Sequence, residues 1–253
     1  MRGIESPTLY PPAVPKRLLL ISNSTSYGGG YLDHCETEIR DFLGRARRIL
    51  FIPFALHDHA TYSSRAGERL ARMGYQTSSL HEAPDPAAAV ETAEAIFAGG
   101  GNTFRLLKAL HENGLIAPLR HRVDSGTPYI GTSAGSNIAC MTIMTTNDMP
   151  IVQPSSFDAL ALVPFNLNPH YLDPDPASRH QGETREERIR EFHEENDPPV
   201  VGLRESAMLR IEGASLRLKG SAGARLFRRG RAPEEFAPGA SLDFLLEPPL
   251  SLL

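Results

Sequence analysis

Short apolar runs alternate with longer amphipathic stretches along the chain from Arg17 onward. Arg17–Ile21 predicts a first buried strand, and the polar, glycine-rich Ser22–Gly30 a loop after it. Leu32–Arg47 carries the helical period, and Ile49–Ile52 predicts the next strand. Thr61–Met73 reads as helix, Gln76–Leu80 as a short strand, and Ala87–Ala95 as a helix leading into strand Ile96–Ala98. Thr127–Ile130 is a further strand, and the apolar run Ile138–Met144 a helix. Strands are expected near Ile151, Leu160 and Val200, with a charged helix over Glu183–Glu194. Met208–Phe227 alternates in short β-like runs, which suggests an antiparallel edge. Strands and helices in alternation imply an α/β fold, a mostly parallel sheet with helices on both faces. A chain of 253 residues can bury one sizeable core, so a single domain over 1–253 is expected. Residues 1–16 and about 232–253, rich in proline, read as surface arms.

Sheets of this kind bind ligands beyond the carboxyl ends of their strands. The segments predicted there are chemically distinctive. Gly131-Thr-Ser-Ala-Gly135 stands between strand and helix, the setting of a nucleophile elbow, where a strained turn pushes the Ser133 hydroxyl above the sheet. Gly99-Gly-Gly-Asn102 also follows a strand and precedes a helix, with Asn102 placed as N-cap. Three glycines let backbone N–H groups approach a ligand closely, as an oxyanion hole or a phosphate cradle requires. The spacing matches neither a dinucleotide fingerprint nor a Walker loop. A serine nucleophile needs a base, and the base needs an acid to orient it. Of nine histidines, His57, His59, His111, His121 and His193 stand among charged or loop residues and read as surface. His170 follows the strand-like Leu160–Leu167 and the restricting Pro169, and is the candidate base. Asp148 is the candidate acid; Glu183, Asp158 and Asp173 are rivals that spacing does not exclude.

Several blocks, in order, resemble the peptidase E (α-aspartyl dipeptidase) family of serine peptidases. They are Leu18-Leu-Leu-Ile-Ser-Asn-Ser-Thr25, Phe51-Ile-Pro-Phe-Ala55, Gly99-Gly-Gly-Asn-Thr-Phe104 and Gly131-Thr-Ser-Ala-Gly-Ser-Asn137, followed by Thr145-Thr-Asn-Asp-Met-Pro-Ile-Val152, Asn168-Pro-His170 and Gly182-Glu-Thr-Arg-Glu-Glu-Arg-Ile-Arg-Glu191. The resemblance implies a class I glutamine-amidotransferase-like, flavodoxin-like three-layer fold. It also implies hydrolysis of dipeptides that begin with aspartate. It puts the nucleophile on Ser133, the base on His170 and the triad acid on Asp148. The oxyanion donors fall on the backbone N–H groups of Gly101 and Ala134, and recognition of the substrate aspartate on Arg185. Leu172–Gln181, rich in proline and aspartate, departs from the family pattern, and Thr132 stands where some relatives carry a bulky residue. A cyanophycinase-like enzyme of β-aspartyl substrates would share the triad. A non-catalytic ligand-binding protein would keep only the fold, and a glutamine amidotransferase would carry cysteine at the elbow.

Composition narrows the partners. Net charge is −4 and the pI about 6.1, so nothing marks a nucleic-acid partner. Arg225–Arg231 is locally basic, but Phe227 is its single aromatic, and it reads as a solvated edge. No apolar run reaches transmembrane length, and the proline-rich start is not a signal peptide. Cys35 and Cys140 are far apart in apolar or helical settings, which favours reduced thiols and a cytoplasmic location. Metal-ligand spacings are absent, so neither metal nor cofactor is expected. The expected partner is an Asp-X dipeptide, bound by a monomer or homodimer away from any membrane.

Overall fold

Leu18 and Leu20 point to one side of their strand, Leu19 and Ile21 to the other, and all four are fully buried. That continuous apolar run belongs to a strand covered on both faces. The computed structural model describes residues 15–175, 177, 179 and 182–247. The first strand, β1 (Arg17–Ile21), lies inside a seven-stranded sheet, with neighbours on both sides. β2 (Arg48–Ile52), β3 (Gln76–Ser79), β4 (Ile96–Ala98) and β5 (Tyr129–Thr132) run parallel to it, in the order β3-β2-β4-β5-β1.

Among the described residues seven helices accompany the strands: α1 (Glu36–Leu43), α2 (His59–Arg72), α3 (Pro86–Glu91), α4 (Thr103–Glu112), α5 (Ile116–Asp124), α6 (Ala134–Asn137) and α7 (Arg185–Glu195). Alternating strand residues sort them into layers. Leu19, Ile21, Phe51, Phe97 and Ile130 pack with Ile39 and Phe42 of α1 and Ala66 and Leu70 of α2. Leu18, Leu20, Ile52, Ile96 and Tyr129 pack instead with α4, α5 and α6 through Leu106, Leu110, Leu119, Val123 and Ala134.

The remaining strands are β6 (Asn166–Pro169), β7 (Val200–Leu203), β8 (Ala207–Glu212), β9 (Ser215–Gly220), β10 (Ala224–Phe227) and β11 (Glu234–Phe236). β8 and β9 add the antiparallel edge beside β1. The others form a second, four-stranded sheet in the order β11-β10-β7-β6, which periodicity did not reveal. β6 and β7 are parallel, with Pro169 opposite Leu203, so the two strands end side by side.

Several expected elements change. The helix expected from Leu32 begins at Glu36, because Leu32 takes a positive φ of 61° and the chain turns before it. The run Ile138–Met144 is not helical: α6 stops at Asn137, and Ile138, Ala139 and Cys140 are buried in irregular backbone. No strand forms at Ile151, and the strand expected from Leu160 starts only at Asn166. The expected arm after 232 is tied down through residue 247. β11 pairs with β10, Leu242 donates its N–H to Leu216 O, and Leu242 and Leu245 enter the core. The arm expected over 1–16 falls almost wholly outside the described residues, as do parts of Asp173–Gln181, whose prolines and small residues suit a pocket-mouth loop or a plain surface excursion alike.

Cys35 packs in the α1–α2 layer and Cys140 in the layer on the opposite face, both fully buried and free. Burial pushes the Cys35 thiol up to about 12 and the Cys140 thiol higher still. The native protein at pH 8 should therefore resist iodoacetamide, since a thiol at pKa 12 is about one part in ten thousand thiolate there. Denaturant should expose two reactive thiols by intact mass. Rapid native alkylation of either residue would contradict this packing.

Candidate active site

β5 ends at Thr132, and Ser133 follows with φ 49° and ψ −107°, a left-handed conformation that a non-glycine residue adopts only under constraint. The flanking glycines explain how the turn closes. A Cβ on Gly131 would overlap the Gly135 carbonyl, and one on Gly135 would overlap the carbonyl of Ala98 in β4. Ser133 N–H donates to Ile21 O at 3.0 Å, and Ser136 Oγ donates to the carbonyls of Ile21 and Gly131, each at 2.8 Å. The elbow is thus fastened to β1 and β5 beneath it.

His170 leaves the end of β6, also at positive φ (53°), with its N–H donating to Ser22 Oγ at 2.9 Å. Ser22 Oγ donates in turn to Leu203 O at 2.8 Å, so one buried hydroxyl joins the ends of β1, β6 and β7. This seats His170 Nε2 3.1 Å from Ser133 Oγ. Nδ1 lies 2.7 Å from Glu205 Oε1, two residues beyond β7. The Glu205 loop is itself held, because Asn23 Oδ1 accepts from Ser206 N–H at 2.8 Å and Ser26 Oγ meets Ser206 Oγ at 2.7 Å. A hydroxyl, an imidazole and a carboxylate in this line can turn a serine into a nucleophile.

Asp148, expected against the imidazole, is elsewhere, and its expected orienting place is taken by Glu205. Asp148 Oδ2 accepts the Thr103 N–H at 2.7 Å and the Thr103 hydroxyl at 2.6 Å, with the Thr146 hydroxyl 3.2 Å away. It therefore docks on the first turn of α4. Of the rivals, Asp173 pairs with Arg204 and Arg225, and Glu183 with Arg188. Nothing in the local sequence of Gly202-Leu-Arg-Glu-Ser206 singles out Glu205; only the parallel pairing of β6 with β7 brings it to His170. His193, expected on the surface, is buried with Nε2 3.1 Å from Pro198 O.

Beside the elbow, the Gly99 and Asn102 amides donate to the carbonyls of Ile52 and Ala55. Those of Gly101 and Ala134 donate to no carbonyl or side chain among the described residues. Gly101 has φ 134°, and a Cβ there would press on Ala55 and Leu56, so glycine is required. Asn102 caps α4, accepting from Arg105 N–H at 3.0 Å.

Arg185 begins α7, which is closed by a capping box between Thr184 and Glu187. It lines a cleft of about 500 Å³ with Leu172, Asp173, Thr184 and Arg188. Burial, and then Arg188, lower its pKa, while Asp148 opposes the shift; the guanidinium remains charged at neutral pH. Among the described residues it forms no ion pair.

The profile of Peptidase family S51 matches residues 18–219. Peptidase E of Streptomyces coelicolor is 55% identical over 91% of this chain and 95% of its own. A probable alpha-aspartyl dipeptidase of Drosophila melanogaster is 48% identical over 93% of this chain and 99% of its own. Among solved structures, a peptidase from an acI-B1 Actinobacterium superposes with a TM-score of 0.70 at 18% identity, covering 91% of this chain and 97% of that one, which shows the shared fold. With the family profile spanning most of the chain and relatives this similar along nearly their whole length, the chain belongs to Peptidase family S51 and is a peptidase.

Proposed function

We propose that this peptidase releases aspartate from α-Asp-X dipeptides, with Ser133 as nucleophile, His170 as general base and Glu205 as the residue that orients the imidazole. The observation that carries this reading is the continuous line from Ser133 Oγ through His170 to Glu205. His170 Nε2 takes the serine proton as Oγ attacks the peptide carbonyl, then delivers it to the leaving amine; water repeats the cycle on the acyl-enzyme. Glu205 keeps the other ring proton on Nδ1 and offsets the charge of the imidazolium. The N–H groups of Gly101 and Ala134, unpaired among the described residues, receive the oxyanion. His170 and Glu205 are close to half exposed, so the bound dipeptide itself must cover them.

Arg185 supplies the preference for aspartate, since a guanidinium in a cleft, with no ion pair among the described residues, suits a carboxylate. The name of the fly relative agrees with that preference. The test is a dipeptide panel. Asp-Leu should be cleaved well, and Asn-Leu, nearly isosteric but uncharged, about 10–100-fold less well, the worth of one hydrogen-bonded charge. Arg185→Ala should cut kcat/KM for Asp-Leu far more than for Asn-Leu. Acetyl-Asp-Leu should be rejected, and so should β-Asp-Leu, whose carbonyl lies one methylene from the oxyanion site. Efficient cleavage of β-Asp-Leu without turnover of Asp-Leu would replace the assignment by the β-aspartyl one. An unchanged Asp-to-Asn ratio in Arg185→Ala would move the carboxylate site elsewhere.

A further inference from the structure

Asp148 is half-buried at the first turn of α4, directly after the Gly99–Gly101 strip, yet it takes no part in the line from Ser133 to Glu205. Its setting is elaborate for a structural group. The preceding residue, Asn147, donates from Nδ2 to Pro169 O at 2.7 Å, next to His170. The following residue, Met149, has its carbonyl bound by Asn102 Nδ2 at 2.8 Å. Asp148 is therefore stretched between the base on one side and the oxyanion strip on the other. Thr103 and Thr146 occupy Oδ2 only. Oδ1 accepts no hydrogen bond among the described residues, so half the acceptor capacity of a held carboxylate is unused. The nearby guanidinium is that of Arg185, which forms no ion pair among the described residues.

An N-terminal aspartyl residue carries two opposite charges on adjacent carbons, an α-ammonium and a β-carboxylate. A site that grips both must offer an anion and a cation close together, near the oxyanion donors. We propose that Asp148 binds the α-ammonium of the substrate through Oδ1, while Arg185 holds the β-carboxylate, so that the pair reads the zwitterionic head of an unblocked aspartyl residue. This rests on the aspartyl-dipeptidase reading above and adds to it the group that restricts the enzyme to free N-termini. An acylated nitrogen brings no charge and leaves Asp148 desolvated without a cation, which a closely fitting site penalises. Thr103 and Thr146 act as positioning residues, because donors on Oδ2 leave Oδ1 free to face the substrate.

The experiment compares Asp-Leu with succinyl-Leu, the same molecule without its amino group, in the wild type and in Asp148→Asn. Asparagine can still accept the Thr103 bonds, so the loop is retained. The wild type should favour Asp-Leu by about 10–100-fold in kcat/KM, the range for a charge-assisted hydrogen bond. In Asp148→Asn that ratio should collapse to near unity, chiefly through a higher KM for Asp-Leu. An equal loss with both substrates would mark Asp148 as structural and overturn the assignment. Inhibition of the wild type by free aspartate and by succinate checks the same point without relying on the variant's folding. Aspartate should bind at least about tenfold more tightly, and equal inhibition would overturn the proposal. A wild type that hydrolyses neither Asp-Leu nor succinyl-Leu would instead remove the dipeptidase reading, and this assignment with it.

Discussion

Ser133→Ala and His170→Ala should each lower kcat on Asp-Leu by about 10⁶, the loss seen when one member of a serine triad that acts as a unit is removed. The size follows from the geometry. A neutral serine hydroxyl is a poor nucleophile until its proton has an acceptor, and in the proposed mechanism that acceptor is His170 Nε2, 3.1 Å away. Because either deletion stops the same step, Ser133→Ala/His170→Ala should be scarcely worse than either single variant. Single-turnover kinetics with purified protein, alongside circular dichroism to establish folding, would measure this. Both side chains stand at the end of the sheet, and the serine variant deletes a hydroxyl while keeping the Cβ, so the fold should survive. Near-native turnover by Ser133→Ala would remove the serine mechanism. Multiplicative losses in the double variant would mean that the two residues serve different steps.

Glu205→Gln should reduce kcat by about 10⁴, while changing KM for Asp-Leu by much less. The side chain keeps its shape, but its amide can present N–H to Nδ1 and so favour the tautomer whose proton sits on Nε2, facing Ser133. The imidazole would then hold a proton where it needs a lone pair. The charge that offsets the imidazolium is also lost. Glu205→Asp, which keeps the charge but draws it back by one methylene, should recover part of the rate. Asp148→Asn should show the opposite signature, a rise in KM with Asp-Leu and a small change in kcat. This crossed pattern separates the two carboxylates. A large kcat loss in Asp148→Asn with none in Glu205→Gln would restore Asp148 to the base and contradict the observed 2.7 Å contact.

Much of the site is written locally. Gly131, Ser133 and Gly135 are readable because small residues are needed wherever backbone crowds backbone, Gly131 against the Gly135 carbonyl and Gly135 against that of Ala98. Gly99–Gly101 and the cap Asn102 are legible for the same reason, and so is the capping box at Thr184. The parallel sheet follows from apolar runs with both faces buried, and β1 and β4 fall at the expected residues. Boundaries shifted where burial overrode periodicity. Ile138–Met144 is apolar enough for a helix, but its first three residues are buried in irregular backbone beside Leu160 and Leu162. The tail after 232 has a loop-like composition, yet it covers an edge that would otherwise be left unpaired.

What only the tertiary structure decided is which carboxylate meets His170. Asp148 lies 22 residues from His170 in sequence and Glu205 lies 35, and neither interval has a helical or strand period that sets a distance. The choice depends on β6 and β7 pairing in parallel, Pro169 against Leu203, in a second sheet that the apolar pattern did not distinguish from the first. It depends equally on the Thr103 N–H and hydroxyl drawing Asp148 to α4. The amino-acid sequence by itself pointed to the elbow serine, the glycine strip beside it and the layered sheet, because small residues mark close backbone approach and the hydrophobic period marks buried faces. The partner of the imidazole is a long-range contact, decided only once separate strands ended side by side.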